Sequence, residues 1–387
     1  MNTHVINSNR RSSRQNNSSR MDPNTFAKRD IKGYDRGKPC HYYTKGVTSH
    51  VVARHIVVTG LAPVMFSLVL CSLLFLLAAC GQQGATTGGS STQATPTAAP
   101  ALDAYGTPIV FPTKAPQHIV SLVPSTSEIL GALHLDSRVV GVDYYTNYPA
   151  SLAALPKISS VAGKFNIEQI VKLKPDLVLS YGGETKQYDT QLKQLGMNVV
   201  DLQLTNLTQT LQAITLVGRL TFAQDAANTL VKQMQQQIDQ TKAAVKGTTT
   251  TPIMLEVDDT TPGKPFVFGG TSFGDELTQD AGASNIFHNN TSNGGYPQVT
   301  DEAVISANPQ YIILTEDPAY GGNASAVYKR PNWGNIAAVK NHEVYHVNVD
   351  IMQRPGPRIV EGLRCVAQIV HPDKFSGALP AYCSATV

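Results

Sequence analysis

Short apolar segments alternate with helical segments along most of this chain, and one long helical stretch divides the alternation into two halves. Runs such as HIVSLV and DLVLS before the stretch, and IMLEV and YIILT after it, are typical of buried strands. Such alternation is typical of mostly parallel sheets covered by helices. We therefore predict an α/β fold with two Rossmann-like lobes at 117–206 and 248–377, a linking helix at 207–247 and a tail at 378–387.

Two local patterns set the expected helix boundaries. Ser125 and Glu128 form a Ser-x-x-Glu pattern ahead of an apolar run, which predicts a capping box at the start of the first helix. The central stretch is free of proline and is interrupted only by Gly218, so the sequence predicts one continuous linking helix.

An internal repeat supports the division into two halves. In each half a capping residue is followed two positions later by a glutamate, and that glutamate stands seven positions before a proline and an apolar strand. The two copies are Asn166, Glu168 and Pro175 in the first half, and Thr300, Glu302 and Pro309 in the second. Two like units suggest a pseudo-symmetric pair of lobes.

The beginning of the chain has the organisation of an export signal. A basic leader precedes the apolar stretch from Ile56 to Ala79, and Leu77 to Cys80 match the bacterial lipobox. We expect residues 1–79 to be a leader and signal segment, Cys80 to carry lipid, and the small, polar segment 80–116 to be a flexible tether. The alternative is a plain transmembrane anchor, since the stretch is long enough to span a bilayer. In either case we expect the body to lie on the extracytoplasmic face.

The formal net charge of +3 conceals an acidic body. Basic residues exceed acidic ones in the leader, whereas acidic residues are in excess after Cys80. An acidic body lacks the electrostatic attraction to phosphate on which nucleic-acid binding depends, so that class of partner is excluded. Cys365 and Cys383 remain in the exported part and can form a disulfide or stay as free thiols.

Several ordered motifs carry a family resemblance from about Gln117 to Phe375. They include HIVSLVPSTSEILGALHL, NIEQIVKLKPDLVL, GTSFGDELTQDAGASNIF and PGPRIVEG. The chain resembles the periplasmic-binding family for iron complexes and vitamin B12, and within it the cobalamin-binding members. The resemblance implies a monomeric receptor, without a cofactor, that holds its ligand in a cleft between two lobes. It also implies a partner, an ABC permease dimer with its ATPase subunits. The expected ligand is a corrinoid, and the alternative is a ferric siderophore or haem.

The resemblance assigns roles to individual residues. Glu168 and Glu302 fall where the family has one surface glutamate per lobe that docks arginines of the permease; the alternative is that each only compensates its helix dipole. The ligand-binding positions implied by the resemblance are the aromatic residues Tyr145, Tyr181 and Tyr296 and the polar cleft residues Asp350 and Arg358. Aromatic faces suit a broad, rigid macrocycle.

Two other functions compete with this interpretation. A Gly-x-Ser-x-Gly motif surrounds Ser272, and Asp350 and His371 follow in the order of a hydrolase triad. However, no oxyanion-hole motif is visible. A metal-binding receptor would need convergent histidine and carboxylate ligands, for which His342 and His346 are the only closely spaced candidates in the body. We therefore favour a non-enzymatic receptor without a metal.

Overall fold

A computed structural model describes residues 101–183, 185–317 and 322–383 of the chain. The leader, the apolar stretch and Cys80 lie outside the described residues. Within the part that is described, no helix combines the length and apolar character needed to cross a bilayer.

The first lobe is built on a sheet of four parallel strands in the order β2-β1-β3-β4. Its strands are β1 (Ile119–Ser121), β2 (Val139–Val142), β3 (Leu177–Tyr181) and β4 (Val199–Leu202). Its helices are α1 (Pro124–Ala132), α2 (Ala150–Ala153), α3 (Ile167–Lys172) and α4 (Lys186–Gln194). These strands are buried almost throughout, as the apolar runs in the sequence predicted for a sheet covered on both faces.

The start of α1 differs from the prediction. The N-cap residue is Val123, Pro124 takes the first helical position, and no side chain caps the helix. Ser125 and Glu128 both lie inside the helix and are buried. The predicted capping box was therefore wrong, because the helix begins two residues earlier, with proline at the first helical position, which favours it, and Glu128 bonds elsewhere.

The second lobe has a mixed five-stranded sheet. β5 is its central strand, with β8 and then β9 on one side, and β7 and the antiparallel β6 also pair with β5. The strands are β5 (Thr251–Asp258), β6 (Phe266–Val267), β7 (Ala283–Asn285), β8 (Tyr311–Leu314) and β9 (Val344–His346). The helices are α7 (Phe273–Asp280), α8 (Ser292–Gly295), α9 (Asp301–Ala307), α10 (Ala324–Val327), α11 (Ala337–Lys340), α12 (Val349–Gln353) and α13 (Ile359–Val370).

The link between the lobes consists of two helices instead of the predicted one. They are α5 (Leu207–Thr221) and α6 (Gln224–Ala244). Phe222 adopts a left-handed conformation, with φ of 61°, and ends α5. The two helices approach closely at Gly218, where a Cβ atom would lie 2.4 Å from that of Ala227. The glycine thus permits tight helix packing, and the chain turns four residues later without a Gly or Pro signal.

Residues 101–116 form an ordered strap on the first lobe, so the predicted flexible tether does not extend to residue 116. Asp103 is buried and pairs with Lys193 at 2.8 Å, and the Tyr105 hydroxyl donates to the carbonyl of Gly182. The Ala104 N–H donates to the carbonyl of Asp201 in β4. Composition alone missed the strap because its stability comes from contacts with distant residues.

One hydrophobic cluster runs from the first lobe through the linking helices into the second. It includes Leu179 of β3, Val217 of α5, Met234 of α6 and Leu363 of α13, all of them buried. The lobes are therefore joined by a shared apolar core.

Candidate functional site

The loop that follows β2, residues 143–149, carries three tyrosines at the carboxyl edge of the first sheet, where ligands of open α/β sheets bind. We call it the tyrosine loop. Asp143 shapes the loop from within, because its carboxylate accepts hydrogen bonds from the Tyr145 N–H and the Thr146 hydroxyl. Burial raises the pKa of Asp143, and these hydrogen bonds oppose the rise. Tyr144 and Tyr148 are exposed and Tyr145 is half-buried.

Helix α12 brings polar side chains of the second lobe to this loop. The Gln353 amide donates to the carbonyls of Val257 and Thr315, which anchors α12 over the carboxyl ends of β5 and β8. At the start of the same helix, the Asp350 carboxylate accepts a hydrogen bond of 3.0 Å from the Asn147 amide of the tyrosine loop. The predicted cleft residue Asp350 therefore contacts the opposite lobe.

Arg354 extends this contact between the lobes. Its guanidinium donates to the Asn147 side-chain oxygen at 2.6 Å and to the Tyr145 carbonyl at 3.3 Å. It also pairs with Asp350, four residues earlier, at 2.8 Å. The backbone of the predicted ligand residue Tyr145 is thus held by a side chain from the second lobe.

Arg358 bonds to the first lobe deeper in the interface. Its Nε and Nη2 atoms donate to the two carboxylate oxygens of Glu128 at 3.0 and 2.6 Å. The guanidinium carbon also lies 4.2 Å from the centre of the Tyr148 ring. Burial alone would lower the pKa of Arg358, but the hydrogen bonds to Glu128 and the negative charges of Glu128, Asp350 and Glu361 together raise the pKa.

These residues form a polar cluster that contains two arginines and two carboxylates. Arg354 and Arg358 belong to the second lobe, as does Asp350, whereas Glu128 comes from the first. The side chain of Glu128 is only 1% exposed and each arginine is less than 20% exposed. We call these four residues together with Asn147 the cross-lobe cluster. Its formal charges balance, so neither arginine is a spare cation.

The other two predicted aromatic positions lie near each other. Tyr181 is the last residue of β3 and is half-buried. Tyr296 is 6% exposed, and its ring packs against Phe268 with centroids 5.4 Å apart. Burial and, to a smaller extent, the neighbouring Tyr181 raise the pKa of Tyr296. The ring of Tyr296 is thus part of the core.

The repeated glutamates occupy equivalent positions in two similar helices. Glu168 in α3 and Glu302 in α9 are each the second residue of the helix, and both are exposed. The caps are Asn166 and Thr300, whose side chains accept from the N–H three residues later. Hydrogen bonds from its own N–H and from the Thr300 side chain lower the pKa of Glu302.

The match extends to the ends of both helices. The residue before the proline of each repeat has a left-handed backbone conformation, with φ of 49° at Lys174 and 45° at Asn308. The repeat seen in the sequence is therefore also a repeat of backbone conformation.

A disulfide joins Cys365 of α13 to Cys383, with the Cα atoms 5.2 Å apart. It attaches the end of the described chain to a helix of the second lobe. Residue 80, the expected lipidation site, lies outside the described residues.

The residues of the hydrolase alternative do not come together. The Ser272 hydroxyl caps α7 and donates to the carbonyl of Gly269. His371 contacts the carbonyl of Gly282 and Thr248, and Asp350 is engaged in the cross-lobe cluster. Each member of the supposed triad thus has a different set of partners.

In the described part of the chain, no group of three or more histidine, cysteine or acidic side chains could hold a metal ion. His346 is buried, and its Nε2 atom contacts the carbonyl of Glu316. Burial lowers the pKa of His346.

Three residues of the cross-lobe cluster were not predicted as site residues. Arg354 had a visible signal, because it follows Asp350 by four positions, a spacing that brings the two side chains together on one face of a helix. Asn147 and Glu128 had none, since their partners lie more than 200 residues away in the sequence.

Two α/β lobes that share an apolar core and meet through polar side chains at the carboxyl edges of their sheets are the architecture of a two-lobed solute-binding protein. The sequence pattern of the periplasmic binding protein family matches residues 119–350. The chain belongs to this family, as the sequence motifs indicated.

Individual relatives agree with this assignment. An uncharacterized ABC transporter substrate-binding lipoprotein of Bacillus subtilis, YvrC, is 31% identical over 309 residues, which cover 78% of this chain and 94% of the relative. A vitamin B12-binding protein of Vibrio cholerae is 25% identical over 252 residues, covering 65% and 87%. Among solved structures, a possible iron-binding, periplasmic solute-binding protein of Staphylococcus epidermidis is 28% identical with a TM-score of 0.58, covering 67% of this chain and 100% of that one.

Proposed function

We propose that this chain is the extracytoplasmic, lipid-anchored substrate-binding protein of an ABC importer and that its ligand is a corrinoid. Support for the transport role comes from the family and from the B. subtilis relative, which is named as an ABC transporter substrate-binding lipoprotein. Support for the ligand class comes from the vitamin B12-binding relative and from the chemistry of the cleft.

The balanced charge of the cross-lobe cluster is the observation that favours a corrinoid over an anionic siderophore. Arg354 and Arg358 are already paired with Glu128 and Asp350. A ligand that recruited one of these arginines through its own negative charge would leave a largely buried carboxylate without its partner. Breaking a buried pair in this way costs about 3–5 kcal/mol. A corrinoid offers amide side chains and a broad ring instead, which need hydrogen bonds and aromatic contact more than net charge.

Titration of the full chain with three probes tests the ligand class. Isothermal calorimetry with cyanocobalamin, haem and a ferric hydroxamate siderophore measures each Kd. We expect the Kd for cyanocobalamin to be at least tenfold lower than the other two, a difference of about 1.4 kcal/mol or more. Tighter binding of haem or of the siderophore would refute the corrinoid assignment and leave the receptor role standing.

The tyrosines are the proposed aromatic contacts. Replacing Tyr145 or Tyr181 by alanine should weaken cyanocobalamin binding by about 0.5–1.5 kcal/mol beyond the lost area. For Tyr296 the suitable change is phenylalanine, because its ring packs against the core. Tyr382, a partly exposed residue near the described end of the chain, provides the matched control. Equal affinity in the Tyr145, Tyr181 and control variants would show that the ligand uses another surface.

The proposed partner is a permease dimer with its ATPase subunits, and the receptor itself acts as a monomer. We propose that Glu168 and Glu302 dock arginines of the permease, one per lobe. Both carboxylates are exposed and stand at the same position of repeated helices. Dipole compensation contributes about 0.3–1 kcal/mol at each helix and would account for either glutamate singly. It does not require the same offsets from cap and proline in both lobes.

The proposed membrane attachment is through lipid on Cys80. Residues 81–100 would then connect the anchor to the strap, which is bonded to the first lobe from Asp103 onward. The receptor would thus be tethered by the same lobe that carries Glu168.

A further inference from the structure

We infer that Glu128 is a positioning residue that ties the two lobes together at the cleft edge and fixes the conformation of the tyrosine loop, residues 143–149. This inference concerns the lobes themselves and does not depend on the identity of the ligand. It goes beyond the proposed ligand contacts because Glu128 is buried beneath the loop and is not itself proposed to touch the ligand.

Glu128 binds both arginines of the cross-lobe cluster. Its carboxylate is the acceptor for two nitrogens of Arg358, and the Nη1 atom of Arg354 lies 3.5 Å from the same Oε1 atom. A carboxylate with 1% side-chain exposure on one lobe therefore pairs with two guanidinium groups from the other, whose second charge is balanced by Asp350. Bidentate arginine pairing is both strong and directional, so it fixes the orientation of Arg358 as well as its position.

Arg354 connects Glu128 to the tyrosine loop. It holds the Tyr145 carbonyl and the Asn147 side chain, while Arg358 stacks on the ring of Tyr148. These contacts between the loop and the second lobe therefore run through the two arginines that pair with Glu128, and Asp350 adds one more, to Asn147. The backbone near residue 356 also fits against Glu128, because a Cβ at Gly356 would lie 3.5 Å from its Oε2 atom.

Removal of the charge on Glu128 should release both segments. In Glu128→Gln, the two arginines keep only the carboxylate of Asp350 within the cluster, and the amide NH2 replaces one acceptor oxygen, so that a donor faces a guanidinium N–H. We expect amide hydrogen exchange of residues 143–149 and 349–358 to become at least tenfold faster, while exchange in β3 and β5 stays unchanged. The measurement is made on the full chain by mass spectrometry without ligand.

Two further variants make the test decisive. Glu128→Asp keeps the charge with one methylene fewer and should retain most of the protection against exchange. It can be measured even if Glu128→Gln fails to fold. Glu343→Gln is the control, since this half-buried carboxylate accepts from Tyr345 within one lobe. The inference is overturned if exchange in the two segments is the same in Glu128→Gln as in the control. It is also overturned if Glu128→Asp releases them as fully as Glu128→Gln does, because charge would then not be the cause.

Discussion

Two buried aspartates under the strap give the sharpest prediction about stability. Asp189 and Asp201 are at most 2% exposed, and the Ser180 hydroxyl lies 2.9 Å from an oxygen of the first and 3.1 Å from one of the second. Burial raises the pKa of both groups, and that of Asp201 reaches about 8 because the neighbouring Asp189 adds to the effect. The pair therefore keeps one proton at neutral pH.

The linkage between proton binding and folding gives the size of the effect on the free energy of unfolding. The unfolded pKa of aspartate is about 3.9, well below the folded value, so the native pair holds a proton that the unfolded chain has lost. The contribution of this pair to the free energy of unfolding therefore falls as pH rises from about 4 to about 8, by about 1.4 kcal/mol per pH unit, and is constant above that. Asp201→Asn imitates the protonated carboxyl, since its amide can donate to Asp189. The variant should gain about 4 kcal/mol relative to the wild type between pH 5 and pH 8.

Guanidinium unfolding at pH 5, 6, 7 and 8, followed by circular dichroism, measures this difference. Comparing variant with wild type cancels the titration of other groups, provided that the slopes with denaturant stay equal. Asp239→Asn is the control, because Asp239 is an exposed residue of α6 and its replacement should change stability by less than about 0.5 kcal/mol at any pH. A constant difference between Asp201→Asn and wild type across this range would refute the shared proton.

Three further predictions concern the anchor, the docking surface and the disulfide. Cys80→Ser should abolish labelling of the protein with radioactive fatty acid in cells and leave an unlipidated precursor, and unchanged labelling would contradict lipidation. Glu168→Lys with Glu302→Lys should stop ligand uptake by cells while leaving Kd intact, because like charges then face the permease; normal uptake would leave dipole compensation as the role of these residues. Cys365→Ser should lower the free energy of unfolding by about 3 kcal/mol, since the disulfide with Cys383 closes a loop of about 18 residues, and a loss below about 1 kcal/mol would contradict this.

The sequence predicted those parts of the fold that depend on local order. The strands were visible as apolar runs, and the repeat around Glu168 and Glu302 was visible because a cap, a glutamate and a proline keep fixed offsets within ten residues. It did not predict the break at Phe222, because a phenylalanine rarely takes the left-handed conformation and no Gly or Pro marks the turn. Nor did it predict the strap, whose Asp103 finds its cation 90 residues further along the chain.

The same distinction explains why the candidate site was only partly predicted. A family pattern can point to Asp350 and Arg358, but the partner that decides their charge is Glu128, which is 230 residues distant from Arg358. Counting arginines in a sequence therefore overstates the positive charge that a ligand meets, because in the fold each arginine of the cleft edge already has a carboxylate. The lobes also share an apolar core, whose separation would expose hydrophobic surface to water. Opening of the cleft should accordingly proceed by breaking the cross-lobe cluster, and the charge balance that disfavours an anionic ligand is also what holds the two lobes together at that edge.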